Sequence, residues 1–207
     1  MNIIFDLDGT LIDSRLRLYR LFQDLAPESV LSFEQYWELK RDKISNEAII
    51  SSRLRYNKDQ VAAFVERWMN WIETPQYLML DVGFTGMQAA LVVLHEFADL
   101  HVCTARQLQA PVLSQLNCLN LMQFFDRVMV TEQNATKESL IKAHVKNLSS
   151  SDWLVGDTGK DIQVGKSLGM KTCGVLSGFL SKKSLTSYSP DLILNSVLDF
   201  PVSLGVR

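Results

Sequence analysis

Short apolar segments alternate with helix-patterned stretches along most of this 207-residue chain. The apolar segments lie at residues 3–5, 100–103, 128–130, 153–155, 172–176 and 192–194. Between most of them, apolar residues recur at the three- and four-residue spacing of an amphipathic helix, as at Met87, Ala90, Leu91 and Leu94. Such alternation predicts a parallel sheet, and strands that are apolar throughout indicate that helices cover both faces. We therefore expect an α/β core of three layers.

Residues 15–83 interrupt this pattern, because they contain apolar stripes at helical spacing and no convincing strand. The stripes are formed by Leu18, Phe22, Leu25, Val61, Phe64, Val65, Trp68 and Ile72. Ala26-Pro27 and Thr74-Pro75 mark the breaks between helices. We predict an all-helical domain over residues 15–83, inserted between residues 1–14 and 84–207 of the α/β core.

Composition excludes several classes of partner. A net charge of −2 gives no electrostatic basis for binding nucleic acid or a membrane surface. No apolar run approaches the about 20 residues that span a bilayer, and acidic residues interrupt the first apolar stretch, so we expect no secretory signal. The three cysteines have no metal-ligand spacing and are interpreted as reduced thiols of a cytoplasmic protein.

Polar side chains follow four of the predicted strands. They are Asp6 and Asp8 after the first strand, Thr104, Ala105 and Arg106 after the second, Lys137 after the third, and Asp157 and Asp161 after the fourth. Because ligands of open parallel sheets bind beyond the carboxyl ends of the strands, these groups should meet in one place. Carboxylates suit Mg²⁺, and a lysine with hydroxyl and backbone N–H donors suits phosphoryl oxygens. The pattern favours phosphoryl transfer, with a metal-neutralised carboxylate as nucleophile.

The run Asp6-Leu7-Asp8-Gly9-Thr10-Leu11, followed by Thr104, Lys137 and Gly156-Asp157-Thr158-Gly159-Lys160-Asp161, resembles the four ordered motifs of the haloacid dehalogenase-like hydrolase superfamily. Within it, the chain is most similar to the phosphoglycolate phosphatase-like group, which has a helical cap inserted after the first motif. This resemblance implies a Rossmann-like core, a cap domain at residues 15–83, and a Mg²⁺-dependent phosphatase that acts on a small phosphorylated metabolite.

The resemblance also implies residue roles. Asp6 would form an aspartyl-phosphate, and Asp8 would act as the general acid and base. Mg²⁺ would be bound by the carboxylate of Asp6, the backbone carbonyl of Asp8 and the carboxylate of Asp157, with Asp161 as a further ligand or as an acceptor for metal-bound water. The remaining implied contacts, to the phosphoryl oxygens, come from the Thr104 hydroxyl, the Ala105 N–H and Lys137.

Two positions depart from the family pattern. Glu138 follows Lys137 where Pro is common, and Ala105 stands where Asn is common, which removes a side-chain contact to substrate. Arg106 could supply that contact instead, or it could be an exposed residue at the start of a helix. In the predicted cap, Lys40, Arg41 and Lys43 are candidates for gripping an anionic substrate, or they form an ordinary solvated helix face.

Other functions remain open on the sequence alone. A phosphomutase would pass the phosphoryl group to a sugar on the same core, and phosphonate cleavage would need a Schiff-base lysine in the cap. A protein with mainly an interaction role could also be built on a phosphatase fold, although Asp6 and Asp8 are both present. The sequence names neither the substrate nor an oligomeric state.

Overall fold

A computed structural model describes residues 1–206. The chain divides into two compact units: residues 1–13 together with the chain from Gly83 onward, which we call the core unit, and residues 14–82, which we call the helical unit. Each boundary lies one residue earlier than the boundary expected from the sequence.

The described residues contain eight β-strands. These are β1 (Asn2–Phe5), β2 (Ile12–Asp13), β3 (Val82–Gly83), β4 (Asp99–Thr104), β5 (Arg127–Val130), β6 (Trp153–Gly156), β7 (Lys171–Val175) and β8 (Leu192–Leu194). Six of them form one parallel sheet in the order β5-β4-β1-β6-β7-β8, and β2 pairs separately with β3.

The helices of the helical unit are α1 (Arg15–Leu25), α2 (Phe33–Arg41), α3 (Asn46–Arg53), α4 (Lys58–Trp71) and α5 (Pro75–Leu78). Those of the core unit are α6 (Met87–His95), α7 (Gln109–Cys118), α8 (Lys137–His144), α9 (Gly159–Ser167), α10 (Lys182–Thr186) and α11 (Phe200–Ser203), with short 3₁₀ turns at Met122–Phe124 and Val197–Asp199. Over residues 1–206, no helix combines the length and the apolar character needed to cross a bilayer.

The central strand β1 shows why the core unit has three layers. Ile3 and Phe5 belong to a hydrophobic cluster that includes Leu91 of α6 and Leu116 of α7. Ile4 belongs to a second cluster that contains side chains of α8 and α9, including Ile141 and Val164. Because successive strand side chains point to opposite faces, this division places helices on both sides of the sheet. The predicted α/β fold with a parallel, helix-flanked sheet is confirmed.

Strand β1 lies where the order of addition of strands reverses. In chain order, β4 and β5 are added on one side of β1, and β6, β7 and β8 are added on the other. Phe5 pairs with Val102 of β4 on one side and with Val155 of β6 on the other. The residues that follow these three strands therefore emerge side by side at the carboxyl edge, where open α/β sheets bind their ligands.

The helical unit has its own core of aromatic rings. The Phe22 ring of α1 lies 4.7 Å from the Tyr36 ring of α2 and 6.1 Å from the Phe64 ring of α4, measured between centroids. A buried ion pair joins Arg17 near the start of this unit to Asp81 near its end, with 3.0 Å between Nε and Oδ1. This ion pair thus connects the first turn of α1 with the segment that follows α5.

Candidate active site

Asp6 is placed by the sheet itself. Its backbone N–H donates to the carbonyl of Val155 at 2.8 Å, so the residue is still attached to β6 although β1 has ended. The two-residue period of a strand puts its side chain on the same face as Ile4, the face that α8 and α9 cover. The carboxylate is therefore buried, with only 7% of the residue exposed.

Lys137 is the first residue of α8, and the start of that helix is fixed by a capping box. Thr136 accepts from the backbone N–H of Ser139, and the Ser139 hydroxyl accepts from the backbone N–H of Thr136. The Lys137 ammonium donates to Oδ1 of Asp6 and to Oδ1 of Asp161, each at 2.6 Å. Lys137 therefore lies beside Asp6, as expected of polar groups that follow neighbouring strands of a parallel sheet.

Asp157 and Asp161 follow β6 and have different partners. Asp161 accepts from the backbone N–H of Thr158 at 3.2 Å and from its hydroxyl, so it also caps α9. Asp157 is fully buried, and its Oδ2 accepts from the backbone N–H of Phe179 at 2.6 Å. Its other oxygen, Oδ1, is buried and has no hydrogen-bond partner among residues 1–206.

The loop after β7, residues 176–181, holds Asp157 in place, and the sequence assigned it no role. The Ser177 hydroxyl donates to the carbonyl of Gly9 at 2.7 Å, which joins this loop to the turn after Asp8. A Cβ atom at Gly178 would overlap the carboxylate of Asp157. The one signal in the sequence was a glycine shortly after a strand end, and this does not reveal which side chain the glycine accommodates.

Three carboxylates could hold a cation. Oxygens of Asp6, Asp157 and Asp161 lie within 4.8 Å of one another, and all three residues are buried. Carboxylates that are this close repel one another, and Lys137 supplies one positive charge among them. The unpartnered Oδ1 of Asp157 offers a ligand atom, so this donor set fits a hard divalent cation such as Mg²⁺.

The electrostatics of this cluster follow from burial. Desolvation raises the pKa of Asp6 to about 7, although Lys137 opposes the shift. Burial also raises the pKa of Asp157 well above its usual range, and the neighbouring Asp6 and Asp161 add to the effect. Burial acts to lower the pKa of Lys137, but the two adjoining carboxylates outweigh it and raise this pKa above its ordinary value. Lys137 therefore remains positively charged.

Asp8 has a partner that the sequence did not assign to it. Arg106 donates from Nε to Oδ2 of Asp8 at 2.5 Å and from Nη2 to Oδ1 at 2.7 Å. The interpretation of Arg106 as an exposed residue at a helix start is wrong, because it is 4% exposed and α7 begins only at Gln109. Its position in a loop hid the pairing, since loop residues carry no periodicity that reports burial.

Two of the three predicted phosphate-binding residues, Thr104 and Ala105, lie at the end of β4 or directly after it. Thr104 pairs with Val130 of β5, is buried, and accepts at its carbonyl from the backbone N–H of Thr131 at 3.0 Å. Ala105 follows it and is exposed.

Lys40, Arg41 and Lys43 all lie at the end of α2 in the helical unit or just after it. The Lys40 ammonium donates to Oδ1 of Asn46 at 3.2 Å and lies 6.0 Å from the centroid of the Tyr36 ring. Burial lowers the pKa of Lys40 to about 8. Lys40 is thus engaged within its own unit, whereas Lys43 is exposed.

The raised pKa of Asp6 predicts how the stability of the metal-free protein depends on pH. The folded state keeps a proton that the unfolded chain, with an ordinary pKa of 3.8, has already lost, so this group's contribution to stability falls as pH rises from about 4 to 7. We expect urea unfolding in the presence of a chelator to show a lower free energy at pH 7.5 than at pH 5.5. The difference should shrink in Asp6→Asn, and an unchanged difference in that variant would contradict the prediction.

Comparisons of the sequence with known proteins show which family it matches. Residues 3–175 match the family described as haloacid dehalogenase-like hydrolase. A pyrophosphatase PpaX from Halalkalibacterium halodurans is 24% identical over 218 residues, covering 100% of this chain and 97% of the relative. A phosphoglycolate phosphatase from Aquifex aeolicus is 26% identical over 205 residues, covering 95% and 93%.

A solved structure shows the same fold. A haloacid dehalogenase-like family hydrolase from Streptococcus pneumoniae superposes with a TM-score of 0.80 at 20% identity, covering 98% of this chain and 97% of that one. The family match spans both units, from β1 to the end of β7. The chain therefore belongs to the haloacid dehalogenase-like hydrolase family.

Proposed function

We propose that this protein is a Mg²⁺-dependent phosphatase that hydrolyses a small phosphorylated metabolite through an aspartyl-phosphate on Asp6. The observation that carries the proposal is the buried Asp6 carboxylate, which lies against the Lys137 ammonium at the carboxyl edge of the sheet. Family membership supports hydrolysis, and the names of the pyrophosphatase and phosphoglycolate phosphatase relatives support phosphorus as the centre attacked.

The metal would be held by the carboxylates of Asp6 and Asp157 and by the backbone carbonyl of Asp8. Asp161, which already binds Lys137 and caps α9, would lie in the outer sphere as an acceptor for a metal-bound water. When bound, Mg²⁺ would supply positive charge that offsets the repulsion between a carboxylate nucleophile and an anionic phosphoryl group.

In the first half of the reaction, a carboxylate oxygen of Asp6 attacks phosphorus in line with the leaving group. The bond from phosphorus to the leaving oxygen breaks, and Asp8 gives that oxygen a proton. The Thr104 hydroxyl, the Ala105 N–H and Lys137 would donate to the other phosphoryl oxygens, where charge accumulates.

In the second half, Asp8 takes a proton from a water molecule as that water attacks the same phosphorus atom. The bond between phosphorus and the Asp6 oxygen breaks, inorganic phosphate leaves, and Asp6 is again a carboxylate. A phosphomutase would use a sugar hydroxyl in place of water, but both named relatives are hydrolytic enzymes, which supports water as the acceptor.

We also propose that the helical unit acts as a cap that selects the substrate, with Arg41 and Lys43 as its candidate anion-binding residues. Closure of a cap would exclude water during phosphoryl transfer, as lids commonly do. Lys40 remains a candidate as well, and its ammonium also donates to Asn46.

A reducing compartment such as the cytoplasm suits the cysteines of this chain. Cys103 and Cys173 are free and buried, and burial raises the pKa of each thiol to about 12. Neither thiol therefore ionises readily at neutral pH, so neither is reactive in disulfide exchange.

The proposed function is tested with an aryl phosphate and purified protein. We expect turnover that requires Mg²⁺, is abolished by a chelator, and falls by about 10³-fold or more in Asp6→Asn, since that change removes the nucleophile. A single turnover in ¹⁸O-water should place the isotope in the released phosphate and none in the Asp6 carboxylate, because water attacks phosphorus and the bond broken is that between phosphorus and the Asp6 oxygen; mass spectrometry of the phosphate and of the digested protein measures both. Undiminished activity in Asp6→Asn would refute the mechanism.

The metal site gives a second prediction. A Cβ atom at Gly178 would displace the Asp157 carboxylate, so Gly178→Ala should remove most of the rise in melting temperature that saturating Mg²⁺ gives the native protein. Gly169→Ala is the matched control, because a Cβ atom there meets nothing within 4 Å and strains only the backbone. Equal stabilisation by Mg²⁺ of Gly178→Ala and the native protein would argue against Asp157 as a ligand.

The cap residues give a third prediction. If Arg41 or Lys43 binds the non-reacting part of the substrate, its change to Gln should raise KM about tenfold with kcat unchanged, because a charge-assisted hydrogen bond is worth about 1.5–3 kcal/mol. Lys58→Gln, at an exposed position of the same unit, is the control. The measurement uses whichever phosphorylated metabolite a substrate panel identifies, and unchanged KM in both variants would reject these residues.

A further inference from the structure

The ion pair between Arg106 and Asp8 is the feature of the core unit that the reaction scheme leaves unexplained. Both N–H groups of one guanidinium edge, on Nε and Nη2, donate to the two oxygens of a single carboxylate, at 2.5 Å and 2.7 Å. Only 4% of the Arg106 side chain and 19% of the Asp8 side chain are exposed. A paired fork of this kind fixes the plane of the carboxylate as well as its position.

The guanidinium is itself held from other directions. Its Nη2 also donates to Oε1 of Gln115, on α7, at 3.2 Å. The backbone carbonyl of Arg106 accepts from the N–H of Glu132 at 3.1 Å, which joins the loop after β4 to the loop after β5. Arg106 is therefore a rigid support for Asp8, because both its backbone and its side chain are bound to elements other than the loop that carries Asp8.

We propose that Arg106 is a positioning residue for Asp8, which orients the Asp8 carboxylate for proton transfer during hydrolysis of the phosphoenzyme. This inference rests on the proposed function. A carboxylate has about four lone-pair positions, and the guanidinium uses two of them. The guanidinium itself therefore takes only one lone-pair position on each oxygen of Asp8.

The step served by this arrangement is the second half of the reaction. The water oxygen forms a bond to phosphorus, its proton passes to Asp8, and the bond from phosphorus to Asp6 breaks, which returns Asp6 to its carboxylate form. Misplacing a reacting group by about 1 Å can cost about 10²-fold in rate. A support for Asp8 should thus act on the rate constant of this step and not on substrate affinity.

The test follows decay of the phosphoenzyme. Acetyl phosphate, whose leaving group needs no proton, is used to phosphorylate Asp6 in the native protein, Arg106→Met, Asp8→Asn and the double variant. We expect decay to slow by about 10²-fold in Arg106→Met, with no further slowing when Arg106→Met is added to Asp8→Asn. Such non-additivity is the mark of a residue that acts through another.

Three results would overturn the inference while leaving the proposed function intact. The first is decay of the Arg106→Met phosphoenzyme at the native rate. The second is an equal slowing by Arg106→Met whether or not Asp8 is present, which would show a general structural effect. The third is a raised KM with unchanged kcat in Arg106→Met, which would identify a substrate contact. If the native protein forms no phosphoenzyme at all, the proposed function fails instead.

Further variants keep the test decisive if Arg106→Met fails to fold. Arg106→Lys keeps the charge but not the paired fork, so it should restore only part of the decay rate. Gln115→Leu removes one support of the guanidinium and should slow decay less than Arg106→Met does. Circular dichroism and urea unfolding check that each variant is folded. If Arg106→Met does not fold, the Gln115→Leu and Arg106→Lys decay rates decide the outcome, and native rates in both would overturn the inference.

Discussion

The contact between the Lys137 ammonium and the carboxylates of Asp6 and Asp161 is the interaction on which this site depends. Without it, three acidic side chains would share a buried volume with no internal positive charge. Removing one partner of a buried ion pair is costly, because the charge left behind has lost its water. One lysine at the start of α8 thus makes it possible for the sheet edge to carry acids that would otherwise repel one another.

This arrangement also explains why the acids remain poised for a cation. A single ammonium cannot satisfy three carboxylates, and in the part of the chain that the structure describes Oδ1 of Asp157 has no hydrogen-bond partner. The raised pKa values of Asp6 and Asp157 express the same imbalance, since burial favours their neutral forms. The fold therefore keeps negative charge at its strand ends that is not fully compensated. Backbone N–H donors and glycines accommodate the acids there, more than further positive charges do.

The strands and the acidic residues at their ends could be predicted from the sequence, because the patterns that indicate them are local. The apolar strands and the acids that follow them share a few consecutive residues, and the parallel topology then brings Asp6 and Asp157 together. The pairing of Arg106 with Asp8 could not be predicted in the same way, because Arg106 lies in a loop, where no periodicity reports burial. The role of Gly178 was equally hidden, since it consists of making room for another residue's side chain.

The capping box at Thr136 has a consequence for how this site can vary. Each residue of an α-helix turns the side-chain direction by about 100°. Were α8 to begin one residue earlier or later, the ammonium of Lys137 would be carried around the helix axis and away from both of its acids. Insertions and deletions in the preceding loop are therefore tolerable only if Thr136 still begins the helix, because its capping box with Ser139 sets the angular position of the Lys137 ammonium.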